Sequence, residues 1–206
     1  MANKFEFDQP MKDGFNLFKE NIGLLVGASL IATLLSFVSL LILAGPMTVG
    51  VLLLVRQCQQ KNQSQPEIGE VFKGFRSFLD SFLFTLIFIV LSALLGVIPV
   101  LGYLISMALQ AFYWWGIMFI AFEELSVGAT IQKLIDETKK GDFFLALLFA
   151  ILANLIAGAG VLACCIGVFF TIPLSYCMMV CCYDSNFGNR STTPVAPQLD
   201  PSIFLK

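Results

Sequence analysis

The sequence predicts an all-α integral membrane protein with six transmembrane helices, arranged as three repeats of an amphipathic helix plus a transmembrane hairpin. Three observations lead there: charge is scarce and segregated, the uncharged windows have membrane-spanning lengths, and the basic residues alternate between connections. Only 13% of the 206 residues are charged and 58% are hydrophobic, whereas a soluble domain carries about 25% charged residues. No Asp, Glu, Lys or Arg lies between Glu20 and Arg56, between Asp80 and Glu123, or between Asp142 and Asp184. Burying such runs in a soluble core would leave too few polar residues to cover its surface. A helix crosses about 30 Å of bilayer hydrocarbon in about 20 residues, so windows 81–122 and 143–183 each hold two crossings. Window 21–55 is tight for two and needs Arg56 and its neighbours to snorkel at the headgroups. A membrane β-barrel would need alternating polarity, which runs such as Phe82 to Val90 lack.

Every Lys and Arg falls in the N-terminal segment (Lys4, Lys12, Lys19), the first long connection (Arg56, Lys61, Lys73, Arg76), the second long connection (Lys133, Lys139, Lys140) or the tail (Arg190, Lys206). Six spans put all four on one side of the membrane, and the positive-inside rule makes that side cytoplasmic, with both termini. An odd number of spans would split them. The first apolar run begins only near Ile22, behind a charged, Phe-rich stretch, and is too long for a signal-peptide core. It reads as an uncleaved first span.

The transmembrane domain covers residues 1–184, with repeats at about 8–60, 67–124 and 127–184. Gly14-Phe15-x-x-Phe18 recurs as Gly74-Phe75-x-x-Phe78, and an acid, Glu20 or Asp80, precedes each apolar run. The third copy keeps a charged helical stretch, Thr130 to Lys140, and the acid Asp142. In the first repeat Asp8 is a good N-cap, with Pro10 in the first turn. Met11, Phe15 and Phe18 share one face by their spacing. The second amphipathic helix runs from about Glu67 to Asp80 with Val71, Phe72, Phe75, Phe78 and Leu79 as its face. Apolar faces rimmed by Lys and Arg suit the headgroup plane.

Gly and Pro place the hairpin turns. Gly96 to Gly102 turns the second hairpin and Gly158-Ala159-Gly160 the third. The first admits two placements. Either the turn lies at Ser36 to Ser39 and Gly45-Pro46 kinks the second span, or the turn lies at Gly45-Pro46 and the second span is short. Pro173, about ten residues before its own cytoplasmic end as Pro46 is, favours the first; Pro46 and Pro173 are the candidate helix kinks. The segment 185–206, rich in Pro, Ser, Thr and Asn, is expected to be a disordered cytoplasmic tail.

Chemistry is sparse. There is no His, which removes the commonest general base and metal ligand. No phosphate-binding loop, zinc-protease motif or nucleophile elbow occurs, and no basic patch with interleaved aromatics points to nucleic acid. No carboxylate lies within a span, where ion and proton paths usually keep one. Gln110 and Asn154 are the only deep amides, and Tyr113 belongs to the cluster Phe112-Tyr113-Trp114-Trp115. The two Trp lie about 12–13 Å from Glu123 at about 1.5 Å per residue, below the interfacial belt. Gln110, Asn154 and Tyr113 are the candidate polar or cavity positions; helix-to-helix bonding and space filling are the plainer reading of each. Ala28-x-x-x-Ala32 and Ala153-x-x-x-Ala157 allow close helix approach, within the chain or with a partner. Cys177 and Cys181 share a helix face near Met178 and Met179, but no second ligand pair supports a soft-metal site. Cys58, Cys181 and Cys182 sit where acylation occurs, though a membrane Cys most often acts as a small hydrophobe.

Gly45-Pro46-x-x-x-Gly50, a polar connection, then Val71-Phe72-x-Gly74-Phe75-x-x-Phe78 resembles uncharacterised bacterial polytopic membrane proteins. Some of that kind form the membrane part of glycerophosphodiester phosphodiesterases. The resemblance spans about residues 10–183 and implies a six-helix inner-membrane protein. It transfers no catalytic residue, because the phosphodiesterase domain and its metal-binding acids are absent. These readings lead to a non-enzymatic, multi-pass inner-membrane protein without a cofactor. It would act as a scaffold or accessory subunit, in contact with lipid and with a membrane-protein partner or a second copy. The alternative is a transporter or lipid-handling protein with a cavity between the hairpins. A membrane enzyme using Glu123, Glu124 and Asp142 ranks third.

Overall fold

A computed structural model describes residues 7–39, 42–60, 66–95, 101–139, 143–162 and 167–188. The described chain is all-α and contains no strand. Its helices are α1 (Asp8–Glu20), α2 (Ile22–Val38), α3 (Ala44–Gln59), a 3-10 helix (Ile68–Ser77) leading directly into α4 (Phe78–Leu95), α5 (Leu101–Glu123), α6 (Val127–Thr138), α7 (Phe143–Leu162) and α8 (Val168–Asn186). Two helical runs, Ile68–Leu95 and Ile105–Glu123, are each long and apolar enough to cross a membrane. Two bent pairs, α1 with α2 at 90° and α6 with α7 at 112°, bring the number to four if each pair counts as one span. With 16 residues, α3 is about 24 Å long, short of the about 30 Å of hydrocarbon. Among the described residues, two helices, or four if each bent pair is one span, are thus long and apolar enough to cross a membrane, fewer than the six expected.

The described elements run in the order α1, α2, α3, the 3-10 helix, α4, α5, α6, α7 and α8, with the amphipathic pattern strongest in α1, the 3-10 helix and α6. The pairs α2–α3, α4–α5 and α7–α8 each pack together, and α3 touches both α5 and α8. The first helix of each pair also lies on the second helix of another: α4 on α3, α7 on α5 and α2 on α8. The amphipathic elements follow the same rule, with the 3-10 helix on α3, α6 on α5 and α1 on α8. These contacts close into a ring in which the first helix of the chain packs on the last.

Glycine sets how closely the elements approach. A Cβ on Gly50 would lie 1.8 Å from the Val71 carbonyl oxygen, and one on Gly74 would lie 2.0 Å from the Pro46 oxygen. The two halves of the motif Gly45-Pro46-x-x-x-Gly50 and Val71-Phe72-x-Gly74 are therefore the two sides of one backbone-to-backbone contact. Gly45 meets the Ser81 carbonyl and Gly14 meets the Met178 backbone in the same way.

Several expectations are corrected. The first hairpin turns between Val38 and Ala44, so Pro46 sits in the first turn of α3 rather than within a span. There its missing N–H leaves no helical bond unmade, and no kink is needed. Pro173 does lie inside α8. Gly158-Ala159-Gly160 is not a turn, because α7 continues to Leu162. Residues 96–100 of the second turn, and Asp142, lie outside the described residues. Phe7 rather than Asp8 occupies the N-cap of α1. The buried face of α1 is Pro10, Gly14, Leu17 and Phe18, while Phe15 is exposed under the Lys19 ammonium. In the 3-10 helix Val71 and Gly74 are buried but Phe72 and Phe75 are exposed, and so is Leu79 in α4. The ordered chain also passes residue 184: α8 extends to Asn186, and Phe187 is buried against Trp115. The rest of the tail lies outside the described residues.

Because a backbone atom cannot be moved aside like a side chain, Gly50→Ala or Gly74→Ala should destabilise the fold by about 1–3 kcal/mol or more. Gly158→Ala, with nothing within 4 Å, should be neutral or stabilising. Unfolding by titration with dodecyl sulfate would rank the three.

Candidate functional site

The ends of α3, α5 and α8 meet where the charged residues gather. Arg56 at the end of α3 pairs with Asp184 of α8 at 3.0 Å. Its guanidinium lies over the Phe122 ring at 4.3 Å and near the Tyr183 ring at 5.9 Å. A planar guanidinium stacks on aromatic faces while its edge bonds a carboxylate, which an ammonium does not do. The Tyr183 hydroxyl donates to Glu123 Oε1 at 2.6 Å. Lys133 of α6 pairs with the same carboxylate, and its ammonium lies 4.7 Å from the Phe119 ring centre. Asp80, marked in the sequence only as the acid before an apolar run, accepts the Val127 N–H at 3.2 Å and caps α6.

Beside this cluster, α3, the 3-10 helix and α5 enclose a groove of about 480 Å³. Its walls carry three cations, Arg56, Lys73 and Arg76, against a single acid, Glu124. Apolar surface comes from Leu53, Phe72 and Ile120 among others. Arg76 donates to Glu124 Oε2 at 2.8 Å, with side chains 78% and 58% exposed. Lys73 pairs with Glu70. The exposed Arg76–Glu124 pair contributes only about 0–1 kcal/mol, and the Lys73 side chain is itself 61% exposed, so both cations can exchange partners for another anion. The Lys73 ammonium, with desolvation opposing it and the Gln57 amide assisting, holds the Glu70 carboxyl below the usual carboxylate range. Glu70 is therefore ionised at neutral pH and keeps Gln57 oriented through a 2.9 Å bond. Deeper in the groove, Arg56 Nε and Gln57 Oε1 are buried and have no hydrogen-bond partner among the described residues. Glu124 itself is left-handed, with φ of 53°, a conformation that favours glycine.

Phe72 begins a column of rings. A 3-10 helix has about 3.0 residues per turn, so positions i and i+3 eclipse. Phe72 stacks on Phe75 at 6.4 Å and Phe75 on Phe78 at 6.1 Å. After the change to α-helix the spacing becomes four, and Phe78 stacks on Phe82 at 5.9 Å. Phe72 is 47% and Phe75 38% exposed, so the groove continues outward as an open aromatic strip.

The three polar residues singled out from the sequence are not brought together. Gln110 is exposed on α5. Asn154 Oδ1 accepts the Trp114 indole N–H at 2.9 Å, while its amide donates to the Ala150 carbonyl at 2.9 Å. The Tyr113 hydroxyl lies 3.3 Å from Thr85 Oγ1. Trp115 is fully buried and donates to the Ala146 carbonyl at 3.0 Å. Cys58, Cys177, Cys181 and Cys182 are all buried and free. Of the rim acids, Glu123 and Glu124 are engaged in ion pairs. The groove residues Arg56, Lys73 and Arg76 were legible in the sequence as a basic connection at the headgroups that sets the topology, not as one groove.

No protein-family model, curated protein or solved structure matches the chain.

Two substitutions test the geometry. Tyr183→Phe removes a hydrogen bond to a carboxylate and should lower stability by about 1.5–3 kcal/mol, measured by denaturant titration in detergent. Glu124→Gly relieves a left-handed residue, about 1 kcal/mol, and gives up an exposed pair of about 0–1 kcal/mol. The same titration should show its stability unchanged or slightly raised.

Proposed function

We propose that the chain is a non-enzymatic, lipid-handling protein of a bacterial cytoplasmic membrane, with six spans and both termini in the cytoplasm, and that the basic groove is its headgroup site. One observation carries this reading: three cations and an apolar wall share one groove, and that wall continues as the Phe72–Phe82 column. An anionic glycerophospholipid has the matching form. Its phosphate meets Lys73 and Arg76, and an acyl chain lies along the rings. The gathering of Arg56, Glu123 and Asp184 at one end of the bundle supports placing that end at the cytoplasmic headgroups.

A scaffold or accessory role has less to recommend it, because the small-residue faces are occupied within the chain. Ala28, Ala32 and Ala153 are buried, and the Ala157 carbonyl accepts the Thr171 hydroxyl at 2.9 Å.

The test is retention of phosphatidylglycerol against phosphatidylcholine by the purified protein, read by native mass spectrometry. A juxtamembrane cation contributes about 1 kcal/mol to anionic-lipid binding, about fivefold in affinity. Lys73→Gln and Arg76→Gln should each weaken phosphatidylglycerol binding by about that factor, and added salt should weaken it further. Equal retention of the two lipids, or a preference that survives loss of both charges, would remove the proposal.

A further inference from the structure

Each cation of the basic groove has its own acid. Arg56 pairs with Asp184, Lys73 with Glu70 and Arg76 with Glu124. Among the described residues these pairs set three positive charges against three negative, so the groove as it stands is neutral. An anion gains net attraction there only when one of the three acids gives way.

The three acids are not held alike. The Asp184 side chain is 20% exposed and bonds a guanidinium that is itself stacked on Phe122. Glu70 is 22% exposed and takes a second bond, from the Gln57 amide at 2.9 Å. Glu124 is 58% exposed, and Arg76 is its one ion-pair partner among the described residues. Glu124 is also the first residue beyond α5 and is left-handed, with φ of 53°. Glycine is the usual residue at that place in a helix end. Here a long acid stands there instead, and its carboxylate reaches a residue 48 positions earlier in the chain. Arg76 and Glu124 both line the groove and both are open to solvent, so a ligand meets them without entering the core.

We propose that Glu124 is the resident anion of the groove and sets the charge of the lipid it accepts, by giving up its place on Arg76 to one singly charged phosphate. The inference rests on the headgroup reading of the groove and adds the class of lipid. A phosphodiester headgroup carries one negative charge and replaces Glu124 one for one. Lys73 keeps Glu70 and still has N–H groups for the phosphate, since an ammonium has three donors. A phosphomonoester, as in phosphatidate, carries about 1.5 to 2 negative charges near neutral pH. Its second charge meets no uncompensated cation, and it faces the Glu124 carboxylate, which is displaced but still tethered at the edge of the groove. Like charges at such range repel. Glu124 thus makes the groove select phosphodiester over phosphomonoester lipids.

The test offers the purified full-length protein equal amounts of phosphatidylglycerol, phosphatidate and phosphatidylcholine, and reads the share of each retained by native mass spectrometry. The parent should retain phosphatidylglycerol over phosphatidate by about fivefold, the effect of one charge near the headgroups. Glu124→Gln keeps the length of the side chain and removes its charge. It should raise retention of both anionic lipids, phosphatidate more, and bring their ratio to about one. Glu124→Gly, which also relieves the left-handed backbone, should do the same and serves if Glu124→Gln folds poorly. A parent that prefers phosphatidate, or a ratio of the two anionic lipids unchanged in both variants, would overturn this inference and leave the headgroup site standing. Equal retention of all three lipids would remove the headgroup reading, and this inference with it.

Discussion

Lipid tails are as apolar as leucine, so helices in a bilayer gain little from hiding their side chains from one another. What holds such a bundle is the closeness of its contacts, and here that closeness depends on glycine. The Gly50–Val71 and Gly74–Pro46 approaches leave no room for a β-carbon on either side. They seat the 3-10 helix on α3 and thereby fix both where α4 begins and where the basic groove opens. At Gly14 the same kind of approach seats α1 on Met178 of α8. Packing and site thus share one cause, for Lys73 and Arg76 flank the glycine that brings the 3-10 helix down onto α3.

Arg56 ties the groove to the rest of the bundle. It lines the groove, and it also joins α3 to α8 through Asp184 and to α5 through the Phe122 ring. A half-buried pair is screened by salt far less than an exposed one. Arg56 is accordingly the fixed cation of the groove, while Lys73 and Arg76, whose own side chains are exposed, are the exchangeable ones. An anion drawn to the exchangeable pair would also feel Arg56, so occupancy of the groove and the joining of the three helix ends are coupled through one side chain.

The class of fold was legible because charge segregation and apolar run length are direct consequences of a bilayer solvent. The faces were less legible. Met11, Phe15 and Phe18 were placed on one face of α1 by their spacing, a face suited to the headgroup plane. The structure divides that face: Phe18 is buried with Gly14, while Phe15 is exposed, because the close approach to α8 is made through glycine, which carries no apolar signal. The Gly158-Ala159-Gly160 turn failed for a related reason, since glycine is common inside membrane helices and α7 runs through it. Gln110, Asn154 and Tyr113 were chosen as the few polar groups at depth, yet depth in sequence does not give direction, and they face three different surroundings. The groove escaped notice because Arg56 and Arg76 are 20 positions apart, and only the glycine contact brings them together.

The ring of contacts bears on how the molecule is made. α1 is synthesised before every other described helix, but the helix it chiefly packs on, α8, is synthesised after them all. During translation α1 therefore has only a slight contact with α2, and its exposed Phe15 beside Lys19 suits it to wait at the bilayer surface. Assembly closes only when α8 emerges, so a truncated product lacking α8 would carry an undocked first helix.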